Sequence, residues 1–309
     1  MLKIMICVNP NKDKELINTR KLLDFLKEYD VTVIMSDTFK RPYFDCPPLS
    51  QSLLSKYNIE YLPEYAAFKK ADLFFVFGGD GTIIKMAKKI SQSGGYIIGF
   101  NMGRVGYLAE LEVSEFGLLH NLLCVKDASE IEKLPSHNID SRMMIKCEIV
   151  RNDKTVFTTN AINEVVISKG AVSRMAGLNL MCNGKNIISY RADGIILSTP
   201  TGSTAYCMSA GGPIVDPALD CICAVPVCPY LCLNNGAVVF SADSVIDVQF
   251  KADKINEAFC TVDGKITKSI YDGDIVRITK ADSNIKLIRL KDIDFYSRLN
   301  DKMNLANNI

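Results

Sequence analysis

Apolar and polar positions along this chain fall into two textures. Over the first 140 or so residues, unbroken apolar runs alternate with stretches of helical spacing. Ile4–Val8, Val31–Met35, Leu73–Phe77 and Tyr96–Phe100 are apolar at successive positions, the pattern of strands covered on both faces. Between the first two, Asp13–Tyr29 carries Leu16, Leu22, Leu23, Phe25 and Leu26 on an imperfect helical stripe, and Ile83–Ile90 reads as another helix. Strand and helix in alternation predict a parallel sheet with helices on both faces. Phe39–Pro63, punctuated by Pro42, Pro47, Pro48 and Pro63, reads as an irregular surface excursion with room for one short helix.

From about Ser141 the period shortens. Met143–Val150, Thr155–Lys169, Leu178–Cys182, Asn186–Tyr190 and Gly194–Ser198 are β-rich, as are Val238–Phe240, Ser244–Phe250, Glu257–Val262, Asp274–Lys280 and Ile285–Leu290. Asn183-Gly184, Asp263-Gly264 and Asp272-Gly273 are hairpin turn signals. The pattern predicts an α/β domain over residues 1–140 and a mostly antiparallel β-rich domain over 141–285. Residues 286–309 then return to the first domain, with a helix over Ile293–Leu305. No internal repeat interrupts this plan.

Charge narrows the function classes. The 36 basic and 35 acidic side chains leave no basic stripe for a nucleic acid, and no run of about 18 apolar residues predicts a membrane span. Met1–Pro10 is too short for a signal peptide and reads as the first strand. Eleven scattered cysteines without a secretion signal predict reduced thiols in the cytoplasm. Cys221, Cys223, Cys228 and Cys232 cluster, but their spacing is not that of a zinc ribbon and prolines intervene, so they read as small hydrophobes. With only His120 and His137 in the chain, histidine triads and histidine metal sites are disfavoured. Carboxylates and backbone amides are left to carry the chemistry.

Two stretches are built for it. The apolar run Leu73–Phe77 stops at Gly78-Gly79-Asp80-Gly81-Thr82 and a helix follows at once. A strand ending in a glycine turn that opens a helix brings backbone N–H groups up to a phosphate. Asp80 is out of place there unless a metal or a proton transfer explains it; the alternative is a plain helix cap. Lys85 follows on the helix, either to neutralise phosphate or as part of a solvated face. The second stretch, Asp193–Tyr206 with Ser209–Pro213 beyond, is dense in hydroxyls and glycine. Small residues would let a flat ring lie against backbone, while hydroxyls and N–H groups bond phosphates or base edges. Neither a P-loop nor a Gly-x-Gly-x-x-Gly helix start is present.

Gly78–Thr82 after its strand resembles the turn shared by NAD kinases, diacylglycerol and sphingosine kinases, and phosphofructokinases. Asn163-Glu164 and the Ser198-Thr199-Pro200-Thr201-Gly202-Ser203-Thr204-Ala205-Tyr206 loop, in this order and spacing, resemble the NAD kinase family in particular. Asn101–Leu108, Ser141–Met144 and Pro226–Pro229 add to the likeness, which runs from about Leu73 to the end. The resemblance implies a Rossmann-like or phosphofructokinase-like N-terminal α/β domain with a C-terminal β-rich domain, in a homodimer or homotetramer. It implies Mg2+-dependent phosphoryl transfer from ATP, another nucleoside triphosphate or polyphosphate to the 2′-hydroxyl of the adenosine ribose of NAD, giving NADP. Asp80 would be the general base and Gly78, Gly79, Gly81 and Thr82 the phosphate cradle, with Asn163 and Glu164 on the ribose. Arg174, Arg191 and Asp193 would lie near the dinucleotide, and Thr204, Ala205, Tyr206, Cys207, Met208 and Ser209 would hold its rings. Tyr230, and Lys265 after Asp263-Gly264, depart from the family pattern and bear on NAD against NADH. The rivals are a lipid or other small-alcohol kinase sharing the glycine turn, and a non-catalytic NAD-binding sensor.

Overall fold

A computed structural model describes residues 1–40, 54–103, 106–170, 175–230, 236–251 and 258–307. Met1–Ser141 with Ile285–Ile309 form one unit and Arg142–Asn284 the other. Strands of the first unit are β1 (Leu2–Val8), β2 (Val31–Ser36), β3 (Ile59–Leu62), β4 (Leu73–Gly78), β5 (Tyr96–Asn101), β6 (Leu111–Glu112) and β7 (Asn138–Arg142). Their sheet runs β3-β2-β1-β4-β5 and continues through Ile285–Arg289 to β7, with β6 also on β5. The pairs from β3 through β5 to Ile285–Arg289 are all parallel.

Parallel pairing leaves two faces to cover, and β4 shows how the sequence covers them. Phe74 stacks on Phe68 of the helix Glu64–Lys70, ring centroids 5.5 Å apart. Phe75 and Phe77 turn the other way onto Phe100, at 5.4 and 4.7 Å. They share that cluster with Leu22, Leu23 and Leu26 of the helix Ile17–Leu26. Each buried phenylalanine contributes on the order of 2 kcal/mol, so this strand is a large part of the unit's hydrophobic core. The helix Asp80–Ser93 buries Ile83, Ala87 and Ile90, packs on β4, β5 and Ile285–Arg289, and ends at Gly94.

Two expectations are corrected in this unit. Within Phe39–Pro63, Ile59–Leu62 is an edge strand, half-buried at every position, and the helix Glu64–Lys70 follows it; Pro42, Pro47 and Pro48 lie outside the described residues. The first helix begins at Ile17, after a single tight turn at Lys14–Leu16, because the Asp13 carboxylate accepts the N–H groups of Asn18 and Thr19 at 2.9 Å.

The second unit contains β8 (Ile145–Arg151), β9 (Lys154–Ala161), β10 (Glu164–Lys169), β11 (Ala176–Cys182), β12 (Lys185–Ala192) and β13 (Gly194–Ser198). It continues with β14 (Cys221–Val227), β15 (Val238–Ser241), β16 (Ile246–Lys251), β17 (Ala258–Val262), β18 (Ile266–Ile270) and β19 (Ile275–Lys280). Among the described residues they make two six-stranded sheets, β15-β14-β13-β10-β17-β18 and β12-β11-β16-β19-β8-β9. Ile145, Cys147 and Ile149 of one sheet share a core with Val165, Ile167 and Cys260 of the other. Asn183-Gly184 and Asp263-Gly264 take positive φ at both residues, as two-residue hairpin turns require.

Here too the sequence reading missed elements. Cys221–Val227 is a strand, buried over its first six residues, with Cys221 and Cys223 packed beside Ile196, Cys207, Val215 and Val225. Pro226 is tolerated because β15 covers β14 only as far as Ala224. Cys232 lies outside the described residues. Ile266–Ile270 is a further strand, exposed except at Ile270. None of the described helices is long and apolar enough to cross a membrane.

Candidate active site

Asp80 is the first residue of its helix, and the N-cap is Gly79. Its carboxylate does not cap. Oδ2 accepts the Tyr107 N–H at 2.8 Å and Oδ1 the Leu108 N–H at 3.0 Å, so the side chain is turned onto the loop that follows β5. Those two peptides are held from behind. Arg289 donates to the Tyr107 carbonyl at 3.0 Å and the Leu108 carbonyl at 3.1 Å. Arg289 in turn pairs with Glu110, a buried carboxylate that also takes Arg298 at 2.7 Å and the N–H groups of Leu290 and Lys291. Gly106 is required by the close approach, because a Cβ there would collide with the Asp80 carboxylate.

Sheet order puts this turn at a focus. The order reverses between β1 and β4, the position where open parallel sheets bind ligands beyond their carboxyl ends. From the loop after β1, Lys12 Nζ comes within 3.6 Å of where a Cβ on Gly79 would stand and 3.9 Å of one on Gly103. From the C-terminal helix Phe295–Asn307, Lys302 Nζ lies 3.9 Å from Asp80 Oδ2 and 3.7 Å from the centre of the Tyr107 ring.

A second group of polar side chains lies in the other unit. Glu164 opens β10, directly after a break at Ile162-Asn163 that divides the β-rich stretch Thr155–Lys169. It is 7 % exposed and its Oε2 has no hydrogen-bond partner among the described residues. Burial, then the nearby Asp263 carboxylate, push its acid up to about 7. Asp263 sits in the hairpin turn and accepts three backbone N–H groups, from Ile162 (3.0 Å), Asn163 (2.8 Å) and Glu164 (3.2 Å). Burial raises its own acid, and those N–H groups offset part of the effect.

The hydroxyl-rich loop lies against the same segment. Thr199 Oγ1 donates to the Ile162 carbonyl at 2.6 Å and accepts the Gly202 N–H, and the Thr199 N–H donates to the Asn163 carbonyl at 2.9 Å. Ser203 Oγ donates to the Pro200 carbonyl and accepts the Val215 N–H. This corrects the expectation that these hydroxyls serve a ligand. Ser198, Thr199 and Ser203 are buried, and their hydroxyls bond backbone carbonyls of the loop itself and of the Ile162-Asn163 segment. Gly202 passes so close to Asn163 that a Cβ would strike its carbonyl. What the loop presents outward is the next turn, Tyr206–Ser209, with the Tyr206 ring 44 % exposed, Met208 and Ser209 exposed and Cys207 buried.

Known proteins with this arrangement give it a family. Residues 4–126 match the family model of the ATP-NAD kinase N-terminal domain, and residues 162–290 that of the ATP-NAD kinase C-terminal domain. The NAD kinase of Thermoanaerobacter sp. (strain X514) is 33% identical over 303 residues, covering 98% of this chain and 99% of that protein. The chain belongs to the NAD kinase family.

The NAD kinase of Lachnoclostridium phytofermentans is 34% identical over 307 residues, with 98% and 99% covered. Among solved structures, yeast NADH kinase complexed with NADH matches with a TM-score of 0.82 at 21% identity, over 98% of this chain and 88% of that one. An Archaeoglobus fulgidus NAD kinase in complex with ATP matches with 0.68 at 22%, over the full length of both. These two show that the NAD kinase fold is shared. The lipid-kinase and sensor alternatives are not favoured by any of these likenesses.

The remaining expected site residues of this NAD kinase are scattered in role. Gly78 lies buried at the end of β4, too close to the Thr82 side chain to carry a Cβ. Lys85 stands exposed on its helix. Arg191 is exposed, its guanidinium 6.0 Å from the Tyr230 ring centre, and Asp193 pairs with Lys169 at 2.8 Å. Thr204 and Ala205 are half-buried, and Lys265 is exposed beside Asp263. Arg174 lies outside the described residues. The sequence reading missed Lys12, Lys302, Arg289 and, as a site residue, Asp263. Only Asp263 had a local signal, its Asp-Gly turn.

Proposed function

We propose that this NAD kinase family member transfers the γ-phosphoryl group of ATP to the 2′-hydroxyl of the adenosine ribose of NAD, with Asp80 as general base. The observation that carries the assignment is the pinned Asp80 carboxylate, which spends no hydrogen bond on its own helix and is held by the Tyr107 and Leu108 N–H groups. A ribose hydroxyl is a weak nucleophile. As its oxygen bonds to the γ-phosphorus, the bond from phosphorus to the β–γ bridging oxygen breaks, ADP leaves, and Asp80 receives the hydroxyl proton. The glycine turn and Lys12 are suited to receive the donor phosphates, through close backbone approach and a positive charge.

Magnesium fits this arrangement as a substrate-borne ion. The described residues contain no group of three or more His, Cys, Asp or Glu side chains able to cage a metal, whereas Mg2+ is commonly carried by phosphate oxygens and water. When bound it would neutralise donor phosphate charge.

Glu164, with Asn163, takes the ribose, and its carboxylate discourages a 2′-phosphate from staying. Tyr206, exposed at the head of its turn, supplies a flat face to a ring, with Thr204, Ala205, Cys207, Met208 and Ser209 around it. Arg191, Asp193 and Lys265 belong to the dinucleotide side by resemblance, as Gly81, Thr82 and Lys85 belong to the phosphate side. The free thiols of the described cysteines suit a cytoplasmic enzyme, and the family likeness supports a homodimer or homotetramer. The deciding assay follows product formation from NAD and from NADH with ATP, another nucleoside triphosphate and polyphosphate in turn. NADP formed from NAD and ATP is the expected outcome. Phosphorylation of diacylglycerol or sphingosine without any turnover of NAD would overturn it.

A further inference from the structure

The C-terminal helix Phe295–Asn307 lies beyond residues 4–126 and 162–290, the segments that the family models match. Yet it reaches the Asp80 turn. Lys302 is half-buried, with its Nζ 3.9 Å from Asp80 Oδ2 and 3.7 Å from the centre of the Tyr107 ring, and no other carboxylate among the described residues pairs with it. Tyr107 is also the residue whose N–H donates to that same Oδ2, and its ring meets Phe295 of the helix at 6.0 Å between centroids. One loop residue thus binds the carboxylate through its backbone and the ammonium through its ring. Behind it, Arg298 of the same helix donates to the Ala109 carbonyl at 2.8 Å and to Glu110 at 2.7 Å. The helix is therefore fixed at two points on the loop that holds Asp80.

Among the described residues, the Tyr107 phenol, from the loop after β5, also faces Asp80. Lys12, from the loop after β1, comes near the neighbouring Gly79, and Arg289 holds the Tyr107 and Leu108 carbonyls. Burial pushes the Lys302 ammonium below the usual lysine range, and the Asp80 carboxylate opposes that shift. A partly buried ion pair is screened less by salt than an exposed one.

We propose that Lys302 is a positioning residue for phosphoryl transfer: its ammonium, carried in by the C-terminal helix and seated on the Tyr107 ring, holds the Asp80 carboxylate aimed for the hydroxyl proton. The inference rests on Asp80 being the base. It assigns a part of the reaction to the chain beyond the family-matched segments, where nothing in the sequence motif marks it.

The test compares Lys302→Met and Lys302→Arg with wild type by kcat and KM for NAD, at saturating ATP, after thermal melts have verified folding. Met keeps the length and loses the charge; Arg keeps the charge. Lys302→Met should lower kcat about tenfold, with KM for NAD within about twofold. Lys302→Arg should retain kcat within about twofold of wild type. An unchanged kcat in Lys302→Met, or an equal fall in Lys302→Arg, overturns the proposal. Asp80→Asn is assayed alongside. If it is as active as wild type, the base assignment has failed; if it is inactive while Lys302→Met keeps the wild-type kcat, only the role of Lys302 has failed.

Discussion

Glu164 is a single buried carboxyl that, in the proposed role, would couple binding to pH. Its acid lies at about 7 in the folded chain against an ordinary 4.5, so the folded state holds a proton that the unfolded state has lost across that window. The stabilising effect of the neutral form is complete below pH 4.5 and is lost as pH rises through 7, a swing on the order of 3 kcal/mol. Glu164→Gln should accordingly melt at a higher temperature than wild type at pH 8 and at about the same temperature at pH 5; an equal shift at both would contradict the assignment. On the proposed role of Glu164, the same proton would govern product release. Inhibition by NADP should be stronger at pH 6 than at pH 8 in wild type and nearly flat with pH in Glu164→Gln, as read from the NADP inhibition constant relative to KM for NAD. Tyr206 belongs to this scale as well. With its ring exposed, Tyr206→Ala should raise KM for NAD by an amount equivalent to about 1–2 kcal/mol and change kcat little. An unchanged KM would remove Tyr206 from the dinucleotide.

Among the elements, β4 was legible because a strand covered on both faces needs no polar position, and Phe74, Phe75 and Phe77 fill the two faces in alternation. Phe75→Ala should destabilise the chain by about 3–5 kcal/mol in denaturant titration, the cost of a cavity at the centre of a packed sheet. Ile59–Leu62 was illegible for the converse reason: a half-buried edge strand has no run and no clean alternation. Cys221–Val227 was hidden by composition, since cysteines spaced near prolines suggest chemistry before they suggest a buried strand. Asn163-Glu164 and the Ser198–Tyr206 loop were found from their order along the chain, but their use of hydroxyls was not. A sequence shows that donors are present and not which carbonyl each one meets. Asp263 holds the Ile162–Glu164 segment, so Asp263→Ala frees three backbone N–H groups and should cost roughly 1–3 kcal/mol. It should also raise KM for NAD with a smaller effect on kcat; a loss of kcat alone would contradict that.

At the scale of the whole chain, the residues around Asp80 come from four separated stretches: the loop after β1, the glycine turn, the loop after β5 and the C-terminal segment. Only the glycine turn carries a motif, which is why Lys12, Arg289 and Lys302 were beyond the reach of spacing arguments. Glu110 links two of these stretches through Arg289 and Arg298, so the C-terminal segment is part of what orients the carboxylate. All of this converges on one proton transfer. The most direct measurement is kcat for NADP formation by Asp80→Asn, taken with NAD binding and the melting temperature of the same preparation. A fall on the order of 10²–10⁴-fold in kcat is expected, with NAD still bound and the fold intact, because the amide keeps the acceptor and the shape but cannot take the proton. Turnover within a few-fold of wild type would contradict it.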